Sequence, residues 1–168
     1  MLCPGSTNSR AKRWPAERFA ALADQLIATI GADVAIIGST EEKNVTDEVA
    51  TQMHHQALLL TGQTELSLTV AILNLADLLV SNDTGPAHIA AALGRPTLVI
   101  FGPTNPVRTR PFSENGEVIR EPPECAPCML RDCPIDHRCM MAISPSQVFA
   151  RSARILQERR SVEEEVAN

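Results

Sequence analysis

Apolar and polar residues follow one another in blocks along this chain, and the spacing within the blocks alternates between that of a helix and that of a strand. The opening Pro4-Gly5-Ser6-Thr7-Asn8-Ser9 is a turn-rich loop. Pro15 then stands where a helix begins, and Phe19, Leu22, Ala23, Leu26, Ile27 and Ile30 recur at helical spacing until Gly31 stops it. Val34-Ala35-Ile36-Ile37 reads as a buried strand closed by Gly38-Ser39. Thr40 is expected to cap a second helix that turns Val45, Val49 and Met53 inward. Leu58-Leu59-Leu60 reads as another strand, and a helix opens at Leu66 and ends near Asp77. Two further apolar runs, Leu78-Leu79-Val80 and Leu98-Val99-Ile100-Phe101, bracket a short polar turn and an Ala-rich helix over Ser81 to Gly94, which makes a βαβ unit. Residues 102–116 form a loop rich in Pro, Thr and Arg, followed by a short last strand at Val118-Ile119. Ser144 is expected to cap a final helix through Val148, Phe149, Ala153 and Leu156 to about Arg159.

Strand and helix alternate throughout, so the expected fold class is α/β: a Rossmann-like, doubly wound and mostly parallel sheet. Only Met1, Leu2 and Cys3 precede a loop that should follow a central strand, so the first strand reads as truncated and the chain as part of a longer protein. Residues 1–160 are expected to form one domain with a Cys-rich insertion at 122–141, and 161–168, with Glu163-Glu164-Glu165, an acidic tail that is solvated or frayed.

Composition narrows the function. The chain has 168 residues with 44% hydrophobic and 21% charged positions, ordinary for a globular domain. A net charge of −5 and only 3% aromatic residues argue against nucleic acid as a partner, which needs cations and stacking rings. No apolar run approaches the roughly 20 residues that span a bilayer, and no signal peptide is visible, so the expected location is cytoplasmic. Four of the five cysteines crowd into Cys125, Cys128, Cys133 and Cys139, a Cys-x2-Cys-x4-Cys-x5-Cys pattern with His137 inside it. Four thiolates can hold structural zinc or an Fe–S cluster, and thiol or disulfide staples are a third reading. No Cys/His pair with an oxyanion loop accompanies them, which argues against a catalytic cysteine.

The most informative stretch is the turn after Leu78-Leu79-Val80. In an open α/β sheet it lies at the carboxyl end of a parallel strand, where ligands bind. It offers the Asp83 carboxylate, the Thr84 hydroxyl, Gly85, the His88 imidazole and the amino end of a helix, a combination that suits a phosphate-bearing ligand.

Four segments together resemble glycosyltransferase family 9, the ADP-heptose:lipopolysaccharide heptosyltransferases. They are Pro4-Gly5-Ser6 with Ala11-Lys12-Arg13-Trp14-Pro15; Gly38-Ser39 after a strand; Asp83-Thr84-Gly85-Pro86-Ala87-His88 with Ala90-Ala91-Ala92 and Pro96; and Phe101-Gly102-Pro103-Thr104-Asn105-Pro106 with Arg108-Thr109-Arg110-Pro111. The cysteine segment with Cys139-Met140 resembles the heptosyltransferase II branch, and the likeness runs over roughly residues 3 to 157. The resemblance implies the C-terminal, donor-binding half of an inverting GT-B enzyme of lipopolysaccharide inner-core synthesis. It implies an ADP-sugar donor, a lipopolysaccharide core acceptor presented by a missing N-terminal GT-B domain, and no cofactor for transfer. It also fits a position at the inner face of the inner membrane.

On that reading a diphosphate docks at Thr84 and Gly85, against the plainer reading that Asp83 or Thr84 merely caps the helix. His88, one turn further, donates to a phosphate or sugar oxygen or is a structural histidine. Asp83 accepts from sugar hydroxyls or orients His88. Lys12 neutralises the diphosphate and stabilises it as a leaving group, or is a solvated surface lysine, and Arg10 or Arg13 could share that role. Thr7 and Asn8 add hydrogen-bonding groups, Glu41 or Glu42 accepts from ribose hydroxyls or favours a helix dipole, and Leu66 walls the adenine. Arg108 and Arg110 either clamp phosphate or face the missing domain. No catalytic residue is expected within this chain. Two alternatives stand beside this one: a GT-B domain for another nucleotide sugar, and a non-catalytic zinc or Fe–S module built on the four cysteines.

Overall fold

The computed structural model describes the backbone of residues 1–167 and the side chains of residues 1–161. Six strands, β1 (Leu2–Cys3), β2 (Ala35–Ile36), β3 (Leu58–Leu59), β4 (Leu79–Asn82), β5 (Thr97–Ile100) and β6 (Gly116–Ile119), form one sheet in the order β3-β2-β1-β4-β5-β6. Every neighbouring pair is parallel. This is the doubly wound order whose direction of winding reverses between β1 and β4, and the carboxyl ends of those two strands frame a ligand crevice. β1 is only two residues long, yet it pairs on both sides, Leu2 with Ile36 and Val80, and Cys3 with Ser81.

The helices are α1 (Ala16–Ile30), α2 (Lys43–Gln52), α3 (Leu66–Leu75), α4 (Gly85–Ala92), α5 (Pro106–Thr109), α6 (Arg138–Met141) and α7 (Pro145–Ala167). Side chains alternate across the strands with period two, and this sorts the core into two layers. Leu2, Ile36, Val80, Leu98 and Ile100 meet Trp14, Phe19, Leu22 and Leu26 of the α1 region together with Met140, Ile143, Val148 and Ile155. On the other face Cys3, Ile37 and Leu79 meet Leu73 of α3 and Ala90 of α4, while Val99 and Phe101 meet Ala87. The small alanines let α4 lie close on the sheet, which places its amino end over the crevice.

Local chemistry explains the boundaries. α1 ends where Gly31 takes a left-handed φ of 64° and donates its N–H to the Ile27 carbonyl at 3.1 Å. Thr40 does not cap the second helix, contrary to the sequence expectation. Thr40 instead opens a single 3-10 turn, Thr40–Glu42, which Ser39 caps in a capping box with its N–H 2.9 Å from the Glu42 carboxylate, and Glu42 stands at the N-cap position of α2. α7 runs helically past residue 160 to Ala167, and the side chains of the acidic run Glu163-Glu164-Glu165 lie outside the described residues. Among the described residues no helix is long and apolar enough to cross a membrane.

The C-terminal end of α2 is tied to α1 by one carboxylate. Asp24 accepts the backbone N–H groups of His54 and His55, at 2.9 Å each, and lies 2.9 and 3.0 Å from their Nδ1 atoms. Burial pushes the Asp24 carboxyl up, but the His54 and His55 donors outweigh it and bring it from 3.8 down to about 2. A depressed carboxyl stabilises the fold fully above its unfolded value and loses that contribution as pH falls toward the folded value. Asp24→Asn is therefore expected to be less stable than the wild type near pH 6 by about 1–3 kcal/mol. The gap should close as pH falls from about 4 to about 2. Denaturant melts at several pH values read this out, and equal stability near pH 6 would contradict the tie.

Candidate functional site

A cavity of about 480 Å³ opens at the carboxyl ends of β1, β2, β3 and β4. Four chain segments wall it: Ser6–Asn8 with Lys12, Ile37–Ser39 with Glu42, Thr64 to Thr69 around Leu66, and Asp83–Pro86.

The first segment is held from two sides. Asn82, wholly buried at the end of β4, receives the Trp14 N–H on its Oδ1 at 3.0 Å and donates its Nδ2 to the Pro4 carbonyl at 2.8 Å. From the other side the Cys-rich segment grips the 3-10 turn Arg10–Lys12. Ala11 donates its N–H to the Arg131 carbonyl at 2.9 Å, Ser9 donates its hydroxyl to the same carbonyl at 3.2 Å, and the His137 ring lies 2.6 Å from the Ala11 carbonyl. That turn delivers Lys12 to the cavity, with its Nζ 3.1 Å from the Asp83 carboxylate and 3.2 Å from the Asp83 carbonyl.

The second segment presents Glu42, not Glu41. Glu42 is buried, and its carboxylate accepts from the Ser39 N–H and from the Thr7 hydroxyl at 3.2 Å. It lies so close to the first loop that a Cβ at Gly5 would sit 2.3 Å from it. Glu41 is exposed, outside the cavity lining, and a Ser39 side-chain hydrogen bond lowers its carboxyl below the usual value.

In the fourth segment Thr84 takes the extended conformation of an N-cap, but its side chain makes no cap bond to α4. Its hydroxyl turns back to the Asn82 carbonyl and the Ser81 hydroxyl. The Asp83 carboxylate also turns away, toward Lys12 and toward Thr104, whose hydroxyl donates to it at 2.8 Å. Neither residue caps the helix through its side chain, so the amino end of α4 opens on the cavity with Gly85 exposed. A methyl on Gly85 would meet no protein atom within 4 Å. A helix end in this state attracts anions.

Of the residues singled out from sequence, the cavity brings together Thr7, Asn8, Lys12, Leu66, Asp83, Thr84 and Gly85. His88 is exposed on the first turn of α4, outside the lining, and Arg108 and Arg110 also lie outside it on or beside α5. Sequence reasoning missed Ser6, Ser39, Thr64, Thr69 and Asn82. Glu42, named beside Glu41 from the sequence, also lines the cavity, and Ser39 could have been found with it as a Ser-x-x-Glu capping box, while the other positions carry no such local signal.

The four clustered cysteines are free thiols. Cys139 is buried on α6 beside Gly102, Cys133 is half-buried, and Cys125 and Cys128 are exposed. Among the described residues no group of three or more His, Cys, Asp or Glu side chains is arranged to hold a metal ion. Burial raises the Cys139 thiol above its usual value, and it also feels the other three thiols electrostatically. The segment's visible contribution is to brace the Lys12 turn.

The model of glycosyltransferase family 9 (heptosyltransferase) matches residues 1–138. The chain belongs to glycosyltransferase family 9. It is 38% identical over 122 residues to lipooligosaccharide heptosyltransferase 2 of Haemophilus influenzae, covering 70% of this chain and 35% of that protein. It is 31% identical over 161 residues to lipooligosaccharide heptosyltransferase 2 of Campylobacter jejuni, covering 92% and 50%. The structure of Escherichia coli ADP-heptose lps heptosyltransferase II superposes with a TM-score of 0.82 at 31% identity, over 95% of this chain and 46% of that one. This family 9 domain thus spans a third to a half of the relatives it matches.

The tight meeting of Gly5 and Glu42 gives a direct check. Gly5→Ala is expected to displace the Glu42 carboxylate from the wall and to cost about 1–3 kcal/mol. Thermal melts and the variant's structure measure both, and an unmoved Glu42 would contradict the contact.

Proposed function

We propose that this domain is the donor-binding, C-terminal half of an inverting GT-B heptosyltransferase, and that it holds ADP-heptose for lipopolysaccharide inner-core synthesis. The supporting observation is the uncapped amino end of α4 facing a cavity at the β1/β4 switch point, with Lys12 anchored beside it. The diphosphate lies at Gly85 and Thr84, where backbone N–H groups and the helix dipole meet it, and Lys12 supplies the cation. Of the two acids considered for the ribose hydroxyls, Glu42 and not Glu41 takes them. Leu66 covers the base, with the Thr64 and Thr69 hydroxyls, 2.8 Å apart, beside it. Thr7 and Asn8 face the phosphates from the first loop, and His88 offers its ring at the cavity's outer rim to a phosphate or sugar oxygen.

Catalysis on this reading comes from positioning and from stabilising the departing ADP. The acceptor oxygen attacks the anomeric carbon from the face opposite the diphosphate, the C–O bond to the diphosphate breaks, and the configuration inverts. The proton of the acceptor hydroxyl goes to a base on a second Rossmann-like domain, which also carries the lipopolysaccharide acceptor. The domain alone binds donor and does not turn over. Transfer itself draws on no cofactor, and the whole enzyme works in the cytoplasm, at the inner face of the inner membrane.

ADP titrated into the chain at up to millimolar concentration is expected to bind saturably at one site, and more tightly than UDP. Lys12→Met should weaken ADP roughly ten-fold, since about 1.4 kcal/mol of ionic hydrogen bonding is lost. Calorimetry that finds no saturable ADP binding, or equal affinity in the variant, would sink the proposal.

A further inference from the structure

Thr104 lies outside the cavity lining, on the loop between β5 and α5, and is buried. Its hydroxyl nevertheless makes the shortest hydrogen bond recorded for the Asp83 carboxylate, donating to Oδ2 at 2.8 Å. Lys12 meets the same oxygen at 3.1 Å. An ionised carboxylate only accepts hydrogen bonds, so the hydroxyl proton must point at Asp83. Thr109 stands 3.5 Å from that oxygen and 3.1 Å from the Asn105 carbonyl, so its single proton favours the carbonyl and leaves Thr104 as the fixed donor.

The consequence falls on Lys12. An ammonium has three N–H donors; one goes to the Asp83 carbonyl, and the Asp83 carboxylate pairs with the same cation at 3.1 Å. Donor capacity is left for a ligand, and the side chain keeps 27% of its surface exposed against 4% for Asp83. Which way the ammonium points depends on where the carboxylate is held, and Thr104, buried and outside the cavity lining, holds it. The hydroxyl also shares the carboxylate charge, which loosens the grip of Asp83 on Lys12 and leaves the cation available to an incoming anion.

We infer that Thr104 is a positioning residue for the nucleotide diphosphate, acting through Asp83 on Lys12 without touching the ligand. The inference rests on the nucleotide-site reading above and names the device that aims its cation.

A double-mutant cycle tests it on the full chain, with ADP affinity measured by NMR titration for wild type, Thr104→Val, Lys12→Met and the pair. Thr104→Val is expected to weaken ADP about five-fold in the wild-type background and less than about two-fold when Lys12 is already Met. Thr104→Ser should restore wild-type affinity, and adenosine, which lacks phosphate, should bind both threonine forms alike. Thr104→Ala repeats the test without the added methyl if the valine variant folds poorly. The same loss in both backgrounds, or no loss in either, would overturn the inference while leaving ADP binding by the wild type intact. Absence of saturable ADP binding by the wild type would instead remove the nucleotide site, and the role of Thr104 with it.

Discussion

Everything at the crevice depends on the Asn82 carboxamide. It is buried at the end of β4 and bridges the switch point: it accepts from Trp14 at the start of the α1 region and donates to the carbonyl that follows β1. The strands on its two sides wind in opposite directions, so no helix or turn ties their loops together there. Without such a bridge the first loop would be tied to the sheet by a two-residue strand and would lean on the Cys-rich segment and the Thr7–Glu42 contact. Each of these bonds adds only about 1 kcal/mol net, but a buried partner left unsatisfied costs about 1–3 kcal/mol, so the arrangement is held mainly by what its loss would expose. Trp14 extends the tie by donating its ring N–H to the Ile143 carbonyl at 2.9 Å, which joins the loop to the segment before α7.

The cavity beside that bridge holds two carboxylates and one lysine in its wall. Both carboxylates are already engaged: Glu42 by the Ser39 N–H and the Thr7 hydroxyl, Asp83 by Lys12 and the Thr104 hydroxyl. Their charge is offset locally by donors. The amino end of α4, worth roughly half a positive charge, carries no side-chain cap and stays uncompensated. The Cys-rich segment joins this scheme mechanically, through Arg131 and His137 on the Lys12 turn.

Much of this was legible in the sequence, because strand–helix alternation and the rule of strand carboxyl ends placed Thr7, Asn8, Lys12, Leu66, Asp83, Thr84 and Gly85 on one rim. Period alone does not say which way a loop side chain turns. Glu41 and Glu42 are adjacent, and only the 3-10 turn after Ser39 decides that Glu42 faces inward. Asn82 looked like the start of a polar turn and is the last residue of a buried strand, because its partners lie 68 and 78 positions away. The cysteine spacing does not say how each thiol is buried: α6 draws Cys139 into the core while Cys125 and Cys128 stay exposed.

The most direct measurement is a crystal structure of this chain grown with ADP. The account predicts the diphosphate within hydrogen-bonding distance of the Gly85 N–H and Lys12 Nζ, with a ribose hydroxyl on Glu42. Nucleotide found elsewhere would contradict it, most plainly in the cavity of about 440 Å³ at the opposite end of the sheet, walled by Val34, Leu58, Leu78 and Asp77.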